Sequence, residues 1–215
     1  MNSTKNIFIN VTFSFMVVSL FLNFPIFDKR EARAQQGDAR IQGAVKTPWV
    51  RRYPALVYVE QMDGNFPPPA EPVHISQKNM VFDPRINPIL LGTTVDFTND
   101  DTVVHNVFTP PGSAQRFNTG NYGVGVTKAI AFDKPGESTL LCSVHPEMLA
   151  YVLVLQNPYY ALTDKTGHFE IKNVPSGRYK LTVWHEKLKP ISKEIVVEER
   201  KTTSVEFKKK EFKKR

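Results

Sequence analysis

Apolar positions in this chain fall into short runs rather than onto helical faces. "IQGAV" (41–45) and "ALVYVEQM" (55–62) predict two strands. The second alternates, with Leu56, Tyr58 and Glu60 on one face and Val57, Val59 and Gln61 on the other. "VHI", "MVFDP" and "GTTVDFTNDD" follow, the last with Val95 and Phe97 two apart. "TVVHNVF", "VTKAIAF", "STLLC" and "LAYVLVL" continue the series, and "FEI", "YKLTVWH", "SKEIVVEE" and "TSVEF" close it. Asp63-Gly64, "DKPG" (133–136), Asp164 to Gly167 and Pro175-Ser176-Gly177 are turns, while "PPGSAQRFNTGNYGVG" is a long Gly/Pro/Asn-rich loop. Strands at this spacing, with no convincing amphipathic helix after residue 35, predict an all-β chain built as a sandwich or barrel.

Two boundaries divide the run. "FPPPAEP" (66–72) is a stiff proline linker, and Asn157-Pro158 marks a second junction. A length of 215 residues suits one large domain or two small ones, and no tandem repeat is evident. The N-terminus reads as a targeting segment. Lys5 precedes an almost wholly apolar stretch from Ile7 to Phe27, and Ala32-Arg33-Ala34 offers small residues for a signal peptidase. We expect residues 1–34 to be a signal peptide cut after Ala34. The competing reading is an uncleaved anchor, since about 20 apolar residues span a bilayer. Either way the protein leaves the cytoplasm.

Charge changes the picture only at the C-terminus. The net charge is +7, but residues 35–199 carry 16 Lys+Arg against 17 Asp+Glu, whereas residues 200–215 carry 8 against 2. The basic character is a tail, "RKTTSVEFKKKEFKKR". It reads as a solvated, partly disordered end, with attraction to an acidic partner or to anionic lipid as the functional alternative. No aromatic-interleaved basic face occurs in the body, so nucleic-acid binding has no support.

Export gives the single cysteine its interest. Cys142 has no partner for an internal disulfide, and a free exposed thiol outside the cytoplasm is a liability. It stands in "CSVHPEM", with His145 and Met148 at successive three-residue steps. Thiolate, imidazole and thioether together suit copper, and less specifically zinc. His105 in "DDTVVHNVF" supplies a fourth ligand of the right kind, on a strand expected to pack beside the loop. Two His and one Cys with a long axial Met are the ligand set of a blue-copper centre. The backbone N–H of Asn106 is expected to point towards the sulfur. His74, His168 and His185 read as surface or structural residues. Alone, each ligand has a bland reading: a strand His, a buried Cys or a core Met.

The residues "GTTVDFTNDDTVVHNVF … FDKPGESTLLCSVHPEMLAYVLV" resemble the cupredoxins, the plastocyanin-like blue copper proteins, over about Val73 to Leu155. The short C-x2-H-x2-M loop is more similar to the amicyanin branch than to plastocyanin. The resemblance implies a Greek-key β-sandwich, one type 1 copper bound by His105, Cys142, His145 and Met148, and one-electron transfer. A second stretch, "ALTDKTGHFEIKNVPSGRYKLTVWHEKL", resembles the carboxypeptidase-regulatory, transthyretin-like β-sandwich through Thr163-Asp164, Gly167, Phe169, Val174-Pro175, Gly177, Tyr179 and Leu181. That family opens with a strand pair that here matches Gly43-Ala44-Val45 and Ala55-Leu56-Val57, far upstream. We therefore expect residues 40–63 and 157–208 to form one sandwich, with the cupredoxin domain (68–156) inserted into it and a basic tail at 209–215.

Three functions compete. An electron carrier would pass its electron through the exposed edge of His145, within an apolar rim including Pro110, Pro111 and Pro146, to a redox partner protein. A copper-delivery protein would hold Cu(I), although Met-rich and His-rich tracts are lacking. A non-catalytic β-module would leave the site unused. No His-x-His pair is present to build a multicopper enzyme, and no triad context supports hydrolysis, so we expect no catalytic activity.

Overall fold

The computed structural model describes residues 37–215, so the expected signal peptide or anchor lies outside the described residues. The described chain is all-β. Its fourteen strands form four sheets, and the only helical pieces among the described residues are 3-10 turns at Pro48–Arg51 and Lys209–Glu211. Among the described residues no helix is long and apolar enough to cross a membrane.

The first two strands, β1 (Ala39–Val45) and β2 (Leu56–Val59), pair far along the chain. β1 lies between β11 (His168–Val174), antiparallel, and β14 (Thr202–Phe207), parallel. β2 lies between β10 (Tyr160–Leu162) and β12 (Gly177–His185), and β13 (Leu188–Val197) closes that sheet. Ile41, Val45, Val57, Val59, Ile171, Leu181, Val183 and Phe207 fill the space between these two sheets.

The intervening chain builds another sheet pair. One sheet runs β4 (Val81–Asp83), β3 (Val73–Lys78), β6 (Thr94–Asn99) and β7 (Thr127–Ala131). The other runs β5 (Ile86–Leu90), β9 (Leu149–Leu155) and β8 (Gly136–Leu141). Their shared core holds Ile75, Val95, Phe97, Phe132, Leu140, Ala150 and Val152, together with Cys142 and Met148.

A third core joins the two sandwiches. Leu56, Ile86, Tyr151, Leu153, Leu155 and Trp184 pack together, and the Tyr151 and Trp184 rings meet edge-on at 5.1 Å. The sheets therefore stack four deep, and the inner two are apolar on both faces. β9 displays this residue by residue. Ala150, Val152 and Val154 enter the core that holds Cys142 and Met148, while Tyr151, Leu153 and Leu155 enter the joint. The period of two in a strand dictates the division. β2 divides likewise, with Val57 and Val59 in one core and Leu56 and Tyr58 against the joint.

Some sequence expectations are corrected. "TVVHNVF" is not a strand: it touches a ladder only through isolated bridges at His105 and Phe108. The buried Asn99 side chain competes with the ladder, donating to Val103 O at 2.8 Å and accepting from Asp101 N at 3.1 Å, which curls the segment. β5 and β10 are additional strands. Asn87 and Pro88 hide β5 in the sequence, and an edge strand tolerates the missing N–H of proline. The basic tail is partly ordered: it contains β14, and Arg215 makes a paired contact with Glu137 at 2.7 Å on both nitrogens.

Candidate metal centre

Three of the four expected ligands converge. His105 Nδ1 lies 3.8 Å from Cys142 Sγ and 3.0 Å from His145 Nδ1, and the three donor atoms fall within 4.8 Å of one another. Cys142 leaves the end of β8, while His105 comes from the curled segment after β6 and bridges Tyr122. Cys142 and His105 are buried, and His145 is half-buried. Met148 is wholly buried in the same core as Cys142, and its N–H donates to His145 O at 3.0 Å, which closes the loop into a tight turn.

Asp101 orients His105 from behind. Its carboxylate lies 3.2 Å from His105 Nε2. The N–H groups of Met80 and Thr102 each donate to it at 2.8 Å. These backbone donors, Met80 first, and then His105 hold the Asp101 carboxyl at about 2. An ionised carboxylate only accepts, so a neutral His105 ring facing it carries its proton on Nε2 and turns a bare Nδ1 to Cys142 and His145. A bare nitrogen facing a second imidazole nitrogen and a sulfur is stabilised by a proton or a cation between them. The donor set and its burial thus fit a soft, imidazole-preferring metal.

A polar frame surrounds the donors. Asn106 Oδ1 accepts from Ser143 N at 2.7 Å and Ser143 Oγ at 3.1 Å, tying the residue after Cys142 to the residue after His105. Asn106, whose backbone N–H is expected to face the sulfur, thus holds the loop through its side chain. Buried Gln77 donates to Asn106 O at 3.3 Å and accepts from the Tyr122 hydroxyl. Burial, then the neighbouring Cys142, push the Tyr122 phenol up, so it stays a neutral donor. Sequence reasoning missed Asp101, Gln77 and Tyr122. Only Asp101 left a trace there, as an acidic residue four before the histidine.

The other histidines take no part. His74 is exposed beside Asp96, and His168 begins β11 at the surface. His185 is buried, its Nε2 3.2 Å from Tyr53 O and its Nδ1 accepting from Lys187 N.

A search among curated proteins finds no match. Similar solved structures include a copper-containing nitrite reductase from Thermus scotoductus SA-01, 30% identical over 40% of this chain and 23% of that one, with a TM-score of 0.39. This chain thus spans about a quarter of that enzyme. A purple cupredoxin from Nitrosopumilus maritimus is 28% identical over 38% of this chain and 98% of its own, at a TM-score of 0.36. A reduced amicyanin variant is 19% identical over 40% and 84% respectively, at 0.38. Residues 149–209 of this chain match the family model of the carboxypeptidase regulatory-like domain.

Proposed function

We propose that this chain is an exported type 1 copper protein that carries single electrons, with His105, Cys142, His145 and Met148 as the ligands. The observation that carries the reading is the convergence of His105 Nδ1, Cys142 Sγ and His145 Nδ1 within 4.8 Å, with Asp101 fixing the His105 tautomer. Copper bound there supplies a one-electron couple. The chain's residues do the rest. The frame of Asn106, Gln77 and Tyr122 keeps the ligands in place, which limits rearrangement between oxidation states. His145 reaches the surface, where Val103, Val104, Val124 and Val144 are exposed beside site residues in the chain and Pro111 and Pro146 are uncovered. Such an apolar rim suits brief docking of a redox protein. The second sandwich, residues 40–63 with 157–208, is read as a non-catalytic scaffold around the inserted metal domain, and the apolar N-terminus as the export signal.

Optical and spin-resonance spectra of copper-loaded protein test the reading. An intense visible thiolate-to-copper band, lost in Cys142→Ser, is the expected result. A colourless, tight Cu(I) complex with no reversible electron exchange would instead mark a copper-delivery protein. Protein that takes up no copper would overturn both.

A further inference from the structure

One side chain ties the second sandwich by hydrogen bonds to the segment that leaves the ligand loop, where Leu149 also packs into the joint. Arg85 precedes β5 in the metal-bearing sandwich. Its backbone O accepts from Tyr151 N at 2.8 Å, and its Nη1 donates to Leu149 O at 2.8 Å. Leu149 follows Met148 directly, so the guanidinium pins the Leu149–Ala150 peptide, one residue beyond the fourth expected ligand. The other edge of the same guanidinium belongs to the second sandwich. Arg85 Nε donates to Glu186 Oε2 at 2.8 Å, and the guanidinium carbon sits 4.4 Å above the ring of Tyr53.

The geometry makes this a positioning element. Glu186 is fully excluded from solvent at the β12–β13 turn, with the Lys187 ammonium 3.4 Å from its second oxygen. A buried carboxylate holds its cation firmly, because separation would leave a charge in a dry site. A guanidinium presents its donors in a rigid planar fork. Fixing one edge on Glu186 and the face on Tyr53 therefore fixes where the other edge meets Leu149 O. β9 reinforces the link: it starts one residue after Met148, and its Tyr151 and Leu153 are held in the joint against Trp184.

We propose that the second sandwich positions Met148 through Arg85, and so tunes the metal centre from across the domain joint. The proposal rests on the copper reading above. On that reading, Arg85, Glu186 and Tyr53 are positioning residues: none touches the three convergent donors, and their effect passes through Leu149.

Full-length Arg85→Met, Glu186→Gln and Tyr53→Leu proteins test it, each compared with wild type in two ways. In copper-loaded protein, Arg85→Met is expected to keep one copper and the visible band while changing the spin-resonance rhombicity. It should also shift the electron-exchange equilibrium at least tenfold, which is about 59 mV for one electron. Glu186→Gln and Tyr53→Leu are expected to shift it the same way, by about threefold. In metal-free protein, amide exchange across residues 148–151 is expected to accelerate at least tenfold in Arg85→Met, with β6 unchanged. Wild-type spectra, potential and exchange in Arg85→Met would overturn the proposal. A shift in Arg85→Met with silent Glu186 and Tyr53 variants would reduce Arg85 to a local brace and overturn the role of the second sandwich. If Arg85→Met fails to fold, the other two variants decide by the same readouts. If wild-type protein lacks the visible band, the copper reading falls, and exchange at 148–151 alone decides whether the joint holds this segment.

Discussion

Asp101 and His105 form a fixed pair, with the carboxylate 3.2 Å from Nε2 and the opposite ring nitrogen turned to Cys142. The pair determines which nitrogen of His105 is free. Asp101→Ala is expected to weaken copper binding about 10- to 100-fold, as removal of a carboxylate behind a metal-binding histidine does. Asp101→Asn keeps an acceptor and should lose less. A copper competition titration measures both, and equal affinity in all three proteins would remove Asp101 from the site.

Asn106 holds the Cys142 loop through Ser143 N and Oγ. Asn106→Ala removes both of these part-buried hydrogen bonds, at a cost of roughly 1 kcal/mol. We expect lower resistance to denaturant in the metal-free protein and a broader visible band in the copper form. Asn106→Asp, which keeps the acceptor oxygen, should retain most of the stability.

Much of this arrangement is readable in the sequence, and the exceptions have physical causes. Cys142, His145 and Met148 are close because the chain makes them neighbours, and "CSVHPEM" announces them. His105 is 37 residues away from Cys142, and residue type alone marked it. β-branched "TVV" favours a strand there, whereas Asn99 and Asp101 offer the chain local hydrogen bonds that win. The unbroken apolar run "LAYVLVL" carried the four-layer stack in plain view, since a strand with two apolar faces needs a core on each side. Gln77 and Tyr122 left no signal: a polar residue in a strand, or a tyrosine in a Gly/Asn-rich loop, looks solvent-facing until its partners are known.

Glu137 gives the joint an acid limit. Burial alone raises its carboxyl, but hydrogen bonds from Arg215 and Trp184 and the charge of Arg215 outweigh burial and hold it below its ordinary 4.5. A depressed carboxyl contributes its full stabilisation above 4.5 and loses it as pH falls through the folded value. Emission from Trp184, whose Nε1 donates to Glu137 at 2.8 Å, should therefore change below pH 4.5. Glu137→Gln should be less stable at neutral pH and lack that part of the acid transition.

Gly43 tests the long-range strand pairing. Its position in β1 faces Val205 in the parallel β14, and an added Cβ would stand 1.8 Å from Val205 O. Gly43→Ala forces the two strands apart and is expected to cost about 3 kcal/mol by denaturant unfolding. A neutral substitution would mean that β1 does not pair with β14 in solution.

The hydrogen bonds at Val59 have a practical consequence. Val59 O accepts from Asn157 Nδ2 at 2.9 Å, and Val59 N donates to Tyr159 O at 3.0 Å. The chain departs and returns at one spot, a hairpin's width apart. The inserted segment thus hangs on two adjacent stalks. It can be lifted out and the gap bridged by a turn of about two residues, provided that Leu56 and Trp184 receive a new cover.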